Sequence, residues 1–542
     1  MRLLNIIIKN IKREPTIFLL FLIISGVSVS LVWWVSKDNT PPHWDMSNHL
    51  MNALSYSDGI AGRLKSGGLG PLKAVKFLLT HYFYYPPLLY LISIPIAAFS
   101  RNYHSLILVN ILFIFIFGFS VYFITKEYSD KWIALVSAIV AVTLPILLSQ
   151  SQQYQLDFPL TAIVTLGLLF LIKSRYFSNN LFSFLFGVTA GLGMLLKWPV
   201  LAFLAPASCY YLIVGVTRNG FKKTLRPLLY AIIPFVLIIA PWFLYNIKII
   251  KSDLGVNVAT GIAEGDPPIL TKASFLWYLR VFPFEYIRGL YLPFLFVGII
   301  YSFITLIKKE SSRFLLITIL GSYIIMTLFR NKDYRFIMPI SGIAVVMMTS
   351  WIRDIPKLWR NIILGYLVIA SIFIFVALRF GIKQIPRDFI ILKTEATGSI
   401  PLYRQTGYFS DQPHSELWPN KTILQTLAAI KDTKYPGVGI IAMDYYDEPY
   451  FNKENFKYYI LADKLQLSIS YPYPPNDTLD CTRDDFLVVT ETNKGPAKFV
   501  FDNGVYFDQK NNVYCSRELL RKDQLPDNET VMTYRISKPT NN

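Results

Sequence analysis

Pro86 to Ser100, P-P-L-L-Y-L-I-S-I-P-I-A-A-F-S, is the stretch whose reading decides the fold. It is apolar enough to enter a bilayer, yet it is short and carries Pro86, Pro87 and Pro95. Whether it crosses fixes the side on which its neighbours lie. The chain around it has 542 residues, 53% hydrophobic and 16% charged, where a soluble globular chain runs to about 25% charged. Eleven further apolar runs lie at 15–35, 105–125, 132–148, 158–172, 181–196, 199–216, 228–247, 287–307, 314–329, 336–352 and 361–379. Each comes near the ~20 residues that span a bilayer. The expected fold is a polytopic α-helical membrane protein. Its 34 Tyr and 10 Trp suit interfacial belts.

Loop charge sets the sides. The loops 126–131, 173–180, 217–227, 308–313 and 353–360 hold two, two, four, three and three Lys+Arg. All belong inside with the basic N-terminus, which reads as leading a retained first span rather than a cleaved signal. Counting back from 353–360, the loops alternate until residue 105 lies outside. The first span also delivers residue 36 outside, so 36–104 begins and ends on one side. Hence 86–100 does not cross and reads as re-entrant or interfacial. The segment 71–85, with Leu72, Val75, Leu79 and Tyr82 on one face, reads as an amphipathic surface helix. The net charge of +18 does not point to nucleic acid, because the cations sit in these short loops.

This topology gathers the out-of-place ionisable residues on the outer side. Asp45, in P-P-H-W-D-M-S-N-H from Pro41 to His49, has His43 and His49 nearby. It reads as a helix cap or as an acid beside the membrane, where charge is kept at a cost. Asp157 ends S-Q-S-Q-Q-Y-Q-L-D and reads as an N-cap or as a second acid. Lys197 follows G-L-G-M-L-L, and reads as a snorkelling lysine or as a ligand. Arg330, Lys332 and Arg335 form a dense basic cluster on the side where such clusters are disfavoured. That suggests a phosphate site. Tyr82 to Leu89 forms an aromatic rim. A long outer loop is expected over 248–286. No Walker loop, dinucleotide fingerprint or zinc spacing is found.

The tail, 380–542, turns polar. Helical stretches (421–431, 451–465) alternate with strand-like runs at 438–443, 485–490 and 498–501. A small α/β domain is expected there. Cys481 and Cys515 would pair if the compartment is oxidising.

W-D-M-S-N-H (44–49), Y-P-P-L-L-Y (85–90), Q-Y-Q-L-D-F-P-L (153–160), G-L-G-M-L-L-K-W-P (191–199) and Y-R-F-I-M-P-I (334–340), in this order, resemble a known superfamily. It is that of the GT-C membrane glycosyltransferases, in particular the protein O-mannosyltransferases and aminoarabinose transferases. The resemblance implies a GT-C type bundle of about 11 spans over 1–379, with 36–104 as an outer loop bearing interfacial helices. A soluble extracytoplasmic domain over 380–542 would follow. By the same likeness Asp45 is the essential first-loop acid, acting as base or acceptor orienter, Asp157 the second acid and Lys197 the lysine after the Gly-rich span, with Arg335 near the donor phosphate; Arg330, His49 and Tyr85 are further candidates for binding substrate. Asp45 and Asp157 would also hold a divalent cation, Mg or Mn, although Asp45-Met46 stands where the family commonly has Asp-Glu.

The implied reaction moves a hexose or pentose from a polyprenyl-phosphate donor to a glycan, lipid or protein acceptor on the outer face of the cell membrane. The rival reading is a multi-span transporter or flippase. Transporters tend to carry internal repeats and ionisable residues in mid-span. This sequence shows neither.

Overall fold

A computed structural model describes residues 14–81, 85–382, 384, 388–394, 398–404, 412–430, 432–435, 437–443, 449–470, 479–491, 505–508 and 511–537. The chain divides into two compact units, neither continuous in sequence. The first comprises 1–36, 59–92 and 107–412, and the second 37–58, 93–106 and 413–542.

The first unit is a helical bundle. In chain order the helices that build it, or cross into it, are α1 (Pro15–Val35), α2 (Trp44–Lys65), α3 (Gly70–Thr80) and α4 (Leu88–Phe99). After the short α5 (Tyr103–Ile107) come α6 (Asn110–Tyr128), α7 (Lys131–Val142), α8 (Pro145–Ser151), α9 (Asp157–Lys173), α10 (Asn180–Met194) and α11 (Val200–Asn219). The bundle closes with α12 (Phe221–Ala263), α13 (Lys272–Val281), α14 (Arg288–Ile304), α15 (Glu310–Thr327), α16 (Ser341–Ser350) and α17 (Lys357–Phe380). Each apolar run expected to span is therefore met by helix. Among the described residues, by length and composition, six helices are long and apolar enough to cross a membrane, or seven if α7 and α8, bent by 57°, form one broken span.

Local chemistry sets the ends. α1 opens with Pro15, whose fixed φ and missing N–H suit a first turn. Asp130 caps α7 by accepting from the Trp132 and Ile133 amides at 2.9 and 3.1 Å. Gly220, at φ +81°, separates α11 from α12 in a conformation that costs other residues energy. α4 has 12 residues, roughly 18 Å of helix against a ~30 Å hydrocarbon core. α3 ends at Thr80 with Leu72 and Val75 exposed; Tyr82, and most of the aromatic rim, lie outside the described residues.

The expected loop over 248–286 is a correction. α12 runs unbroken for 43 residues to Ala263, and α13 and a π-helical turn (Phe282–Ile287) come after it. α12 packs closely on α10, because a Cβ on Gly187 would sit 1.9 Å from the Ala231 carbonyl oxygen. Its far end seats on the basic loop: a Cβ on Gly261 would lie 2.7 Å from the Asn331 Cα. Two strands, β1 (Asp388–Thr394) and β2 (Gly398–Arg404), pair antiparallel after α17.

The second unit is a small α/β body. It contains α18 (Asn420–Ala428), α19 (Lys453–Ala462) and strands β3 (Gly439–Met443), β4 (Leu467–Ile469), β5 (Phe486–Thr490), β6 (Val505–Asp508), β7 (Val513–Gln524) and β8 (Thr530–Ile536). The sheet order is β4-β3-β5-β8-β7-β6, parallel at β4-β3-β5 and antiparallel beyond. Ile423, Leu427, Ile441, Phe456, Phe486 and Val531 centre one face. The other holds Leu487, Tyr534 and the Cys481–Cys515 disulfide, with Cα atoms 5.9 Å apart. The expected strand at 498–501 lies outside the described residues.

The segments 37–58 and 93–106 are part of this body. Asn39 N–H donates to the His414 carbonyl at 2.7 Å, and Tyr103 Oη to the Thr40 carbonyl at 2.7 Å. Arg101 donates to the Ala462 and Leu461 carbonyls at 3.0 and 2.8 Å, closing the C-terminal end of α19.

Candidate active site

In the bundle, the chemistry gathers on residues 149–157. This segment is polar, S-Q-S-Q-Q-Y-Q-L-D, yet buried throughout. Its carbonyls need partners away from water, and Asn110 supplies them, donating from Nδ2 to Ser151 and Gln153 at 3.0 and 2.7 Å. Asp157 closes the segment as the first residue of α9.

Lys197 reaches Asp157. Its Nζ lies 2.7 Å from Oδ1, both side chains nearly out of water. The ammonium also faces the Phe336 ring at 4.5 Å and the Tyr85 ring at 6.0 Å. Two connections bring these residues together. The Leu88 amide donates to the Leu195 carbonyl at 2.8 Å, which ties the Pro86-Pro87 stretch to the glycine-rich end of α10. The 3₁₀ helix Tyr334–Ile340 then delivers Phe336.

Arg335 lies on the same segment. Its Nη1 donates to Gln155 Oε1 at 2.7 Å, while Nε and Nη2 fork onto the Asp333 carboxylate at 3.0 and 2.5 Å. Asp333 also accepts the Arg335 amide at 2.8 Å, capping the 3₁₀ turn. Thus the ends of α10 and of the turn before α16 meet, each presenting one cation to the 149–157 segment. Tyr286, from the π-helical turn, donates to the Tyr334 carbonyl.

The rest of the basic cluster has other work. Lys332 directs its ammonium to the Thr327 and Phe329 carbonyls at 2.9 and 2.6 Å, where α15 leaves carbonyls unpaired. Its amide donates to Asp266 at 2.6 Å. Burial presses its pKa down to about 8. Lys332 is a helix-end clamp, so the phosphate reading rests on Arg335, with Arg330 half-buried beside it. Asp333 and Gln155, the partners of Arg335, carry no such signal in the sequence. No spacing rule links a glutamine to an arginine 180 residues away.

In the second unit, Asp45 stands in the first turn of α2, exposed, where a carboxylate favours the positive helix end. His43 and His49 are buried. The turn before them is held by Ser47 Oγ, which donates to the Pro42 carbonyl at 2.7 Å, and by Asn455 Nδ2, which donates to the same carbonyl.

A divalent cation wants several oxygen ligands converging. Asp157 already holds an ammonium, and among the described residues no three or more His, Cys, Asp or Glu side chains gather.

Residues 85–245 match the model of the dolichyl-phosphate-mannose-protein mannosyltransferase family. No curated protein matches the chain in sequence. ArnT from Cupriavidus metallidurans, in the apo state, is similar in structure with a TM-score of 0.56 and 11% identity, over 95% of this chain and 97% of that one. The same protein bound to undecaprenyl phosphate gives 0.57 and 10%, with the same coverage. The oligosaccharyltransferase of Archaeoglobus fulgidus is a weaker likeness, at 0.47 and 13% over 86% of this chain and 67% of that one. At such identities the ArnT likeness is one of fold.

Proposed function

We propose that the protein transfers a sugar from a polyprenyl phosphate to an acceptor glycan, lipid or protein. The observation that carries this reading is the pair of cations, Lys197 and Arg335, brought from distant elements onto one buried polar segment. A fold like that of ArnT, which has been solved with undecaprenyl phosphate bound, supports it. The chain then crosses the membrane about 11 times by the loop-charge argument. Residues 1–379 form the membrane domain, and 36–104 and 380–542 lie outside.

The roles follow from charge. Arg335 holds two oxygens of the donor phosphate and Lys197 a third as a point charge. Both trade part of their present pairing for the ligand. The acceptor hydroxyl attacks sugar C1, the C1–O bond to phosphate breaks, and the Asp45 carboxylate takes the hydroxyl proton. The lipid phosphate leaves with its charge met by the cations. A single displacement inverts C1. Arg330, His49 and Tyr85 line the substrates' approach. No step is assigned to a metal ion.

The test is to titrate a polyprenyl-phosphate sugar against wild type and Arg335→Ala. Loss of one charge-assisted contact is worth ~1.5–3 kcal/mol, about ten- to a hundredfold in donor use. Equal donor use by both would remove Arg335 as the phosphate anchor. A transporter would show no transfer product at all.

A further inference from the structure

Arg379, in the last turn of α17, is the largest fully buried side chain among the described residues. Its Nη2 lies 3.5 Å from Ser151 Oγ, while Nε and Nη1 have no hydrogen-bond partner. Gln150, the residue before Ser151, is also buried, and both polar atoms of its amide lack partners. A guanidinium taken out of water without an anion is among the costliest arrangements a fold can hold. Buried orphan donors beside a buried orphan amide mark a place where something polar belongs.

A route leads there. An apolar groove of about 490 Å³ runs along α1, α7 and α17, lined by Gly26, Val27, Trp33, Thr143, Ser371 and Phe380 among others. Phe380 follows Arg379 directly, and Val27 also lines the narrow cleft that holds Ser151. The groove and the neighbourhood of Ser151 thus share a wall. The Trp33 and Phe380 rings meet at this end with centroids 4.7 Å apart, and must part to admit a headgroup.

We propose that the groove seats the hydrocarbon chain of a polyisoprenyl monophosphate, with its phosphate on Arg379, Ser151 and Gln150. The charge match is one unpaired guanidinium to one phosphate. The isoprenoid nature of the chain rests on the transferase reading; the anion does not. The site is built from α1, α8 and α17, elements other than those that carry Lys197 and Arg335. It suits a carrier lipid waiting at the enzyme before or after the transfer step.

The experiment is isothermal titration of the full-length protein in detergent micelles with farnesyl phosphate, farnesol, inorganic phosphate and phosphatidylglycerol. Wild type should prefer farnesyl phosphate to farnesol by about ten- to a hundredfold, and should bind inorganic phosphate far more weakly. In an Arg335→Ala background, which removes the donor-site contact, Arg379→Gln should lose that preference while still binding farnesol. Gly26→Phe should weaken both lipids, because a Cβ there meets nothing within 4 Å and the ring can occupy the groove. A site at Lys197 and Arg335 would not respond to position 26. Three results would each overturn the proposal: Arg379→Gln keeping the preference in the Arg335→Ala background, Gly26→Phe binding as tightly as wild type, or phosphatidylglycerol displacing farnesyl phosphate at equal concentration. If Arg379→Gln does not fold, Gly26→Phe and the competition decide. Should these fail while Arg335→Ala still impairs transfer, the transferase reading stands without this site.

Discussion

Lys197 and Asp157 illustrate what one residue can and cannot disclose. Each looks out of place in its own stretch, a charge at the end of an apolar run, and each was legible as such. Their bond was not, because it closes across 40 residues between two helix ends. Removing one partner leaves the other charged and buried. Lys197→Met should therefore destabilise the bundle by about 3–5 kcal/mol, and adding Asp157→Asn should recover much of that. Thermal unfolding of wild type and the two variants in detergent measures both effects. Asp38 gives a second expectation. Burial lifts its carboxyl to about 6, against opposing hydrogen bonds from the His414 amide and Thr40. The folded state then holds a proton that the unfolded state has released. This contribution to stability is full below about pH 4 and is lost as pH rises through 6. Between pH 4 and 7 it amounts to about 3 kcal/mol. Asp38→Asn should lack that slope when the two proteins' unfolding midpoints are compared across this range.

At the scale of elements, apolar runs translated well, since a run of some 20 apolar residues in lipid has little choice but helix. The polar continuations of those runs translated badly. Residues 248–263 mix Lys248, Lys251, Asp253, Gly255 and Gly261 with scattered aliphatics, which reads as a loop, yet they prolong α12. Two contacts decide it where local propensity does not: Asn246 donates to the Leu79 carbonyl at 2.8 Å, and Gly261 fits against Asn331. The α10–α12 contact depends on Gly187 in the same way. Gly187→Ala would drive a methyl into the Ala231 carbonyl, so the helices must separate. A loss of about 1–3 kcal/mol is expected. Gly62→Ala, where a Cβ meets nothing within 4 Å, should be neutral or slightly stabilising. The thermal midpoints of the two variants make the comparison.

For the molecule as a whole, composition announced the membrane and the change at the tail announced a second body. That the second body recruits 37–58 and 93–106 was not legible, because its recruiting contacts run largely through backbone carbonyls, which every sequence possesses. Pro42, Thr40, Leu461 and Ala462 all act by their C=O groups. The pairing of Cys481 with Cys515 was open in the sequence and is closed in the structure, across a separation of 34 residues. Replacing both by Ser should cost the sheet body about 4 kcal/mol in the chain-entropy account. It should also remove the mobility difference between reduced and non-reduced samples.

A body assembled from 37–58, 93–106 and 413–542 also has a timetable. The ribosome makes its first strip early and its last some 355 residues later, roughly 20–70 s at ordinary elongation rates. During that interval the Asn39 amide waits for the His414 carbonyl and the Pro42 carbonyl for Asn455, so the helix start that carries Asp45 is held by Ser47 alone. The segment that carries the acid thus acquires the rest of its support only once residues 413–542 have been made. A ribosome stalled after residue 412 would release a bundle whose 37–58 strip remains open to protease, and synthesis of the last 130 residues would close it.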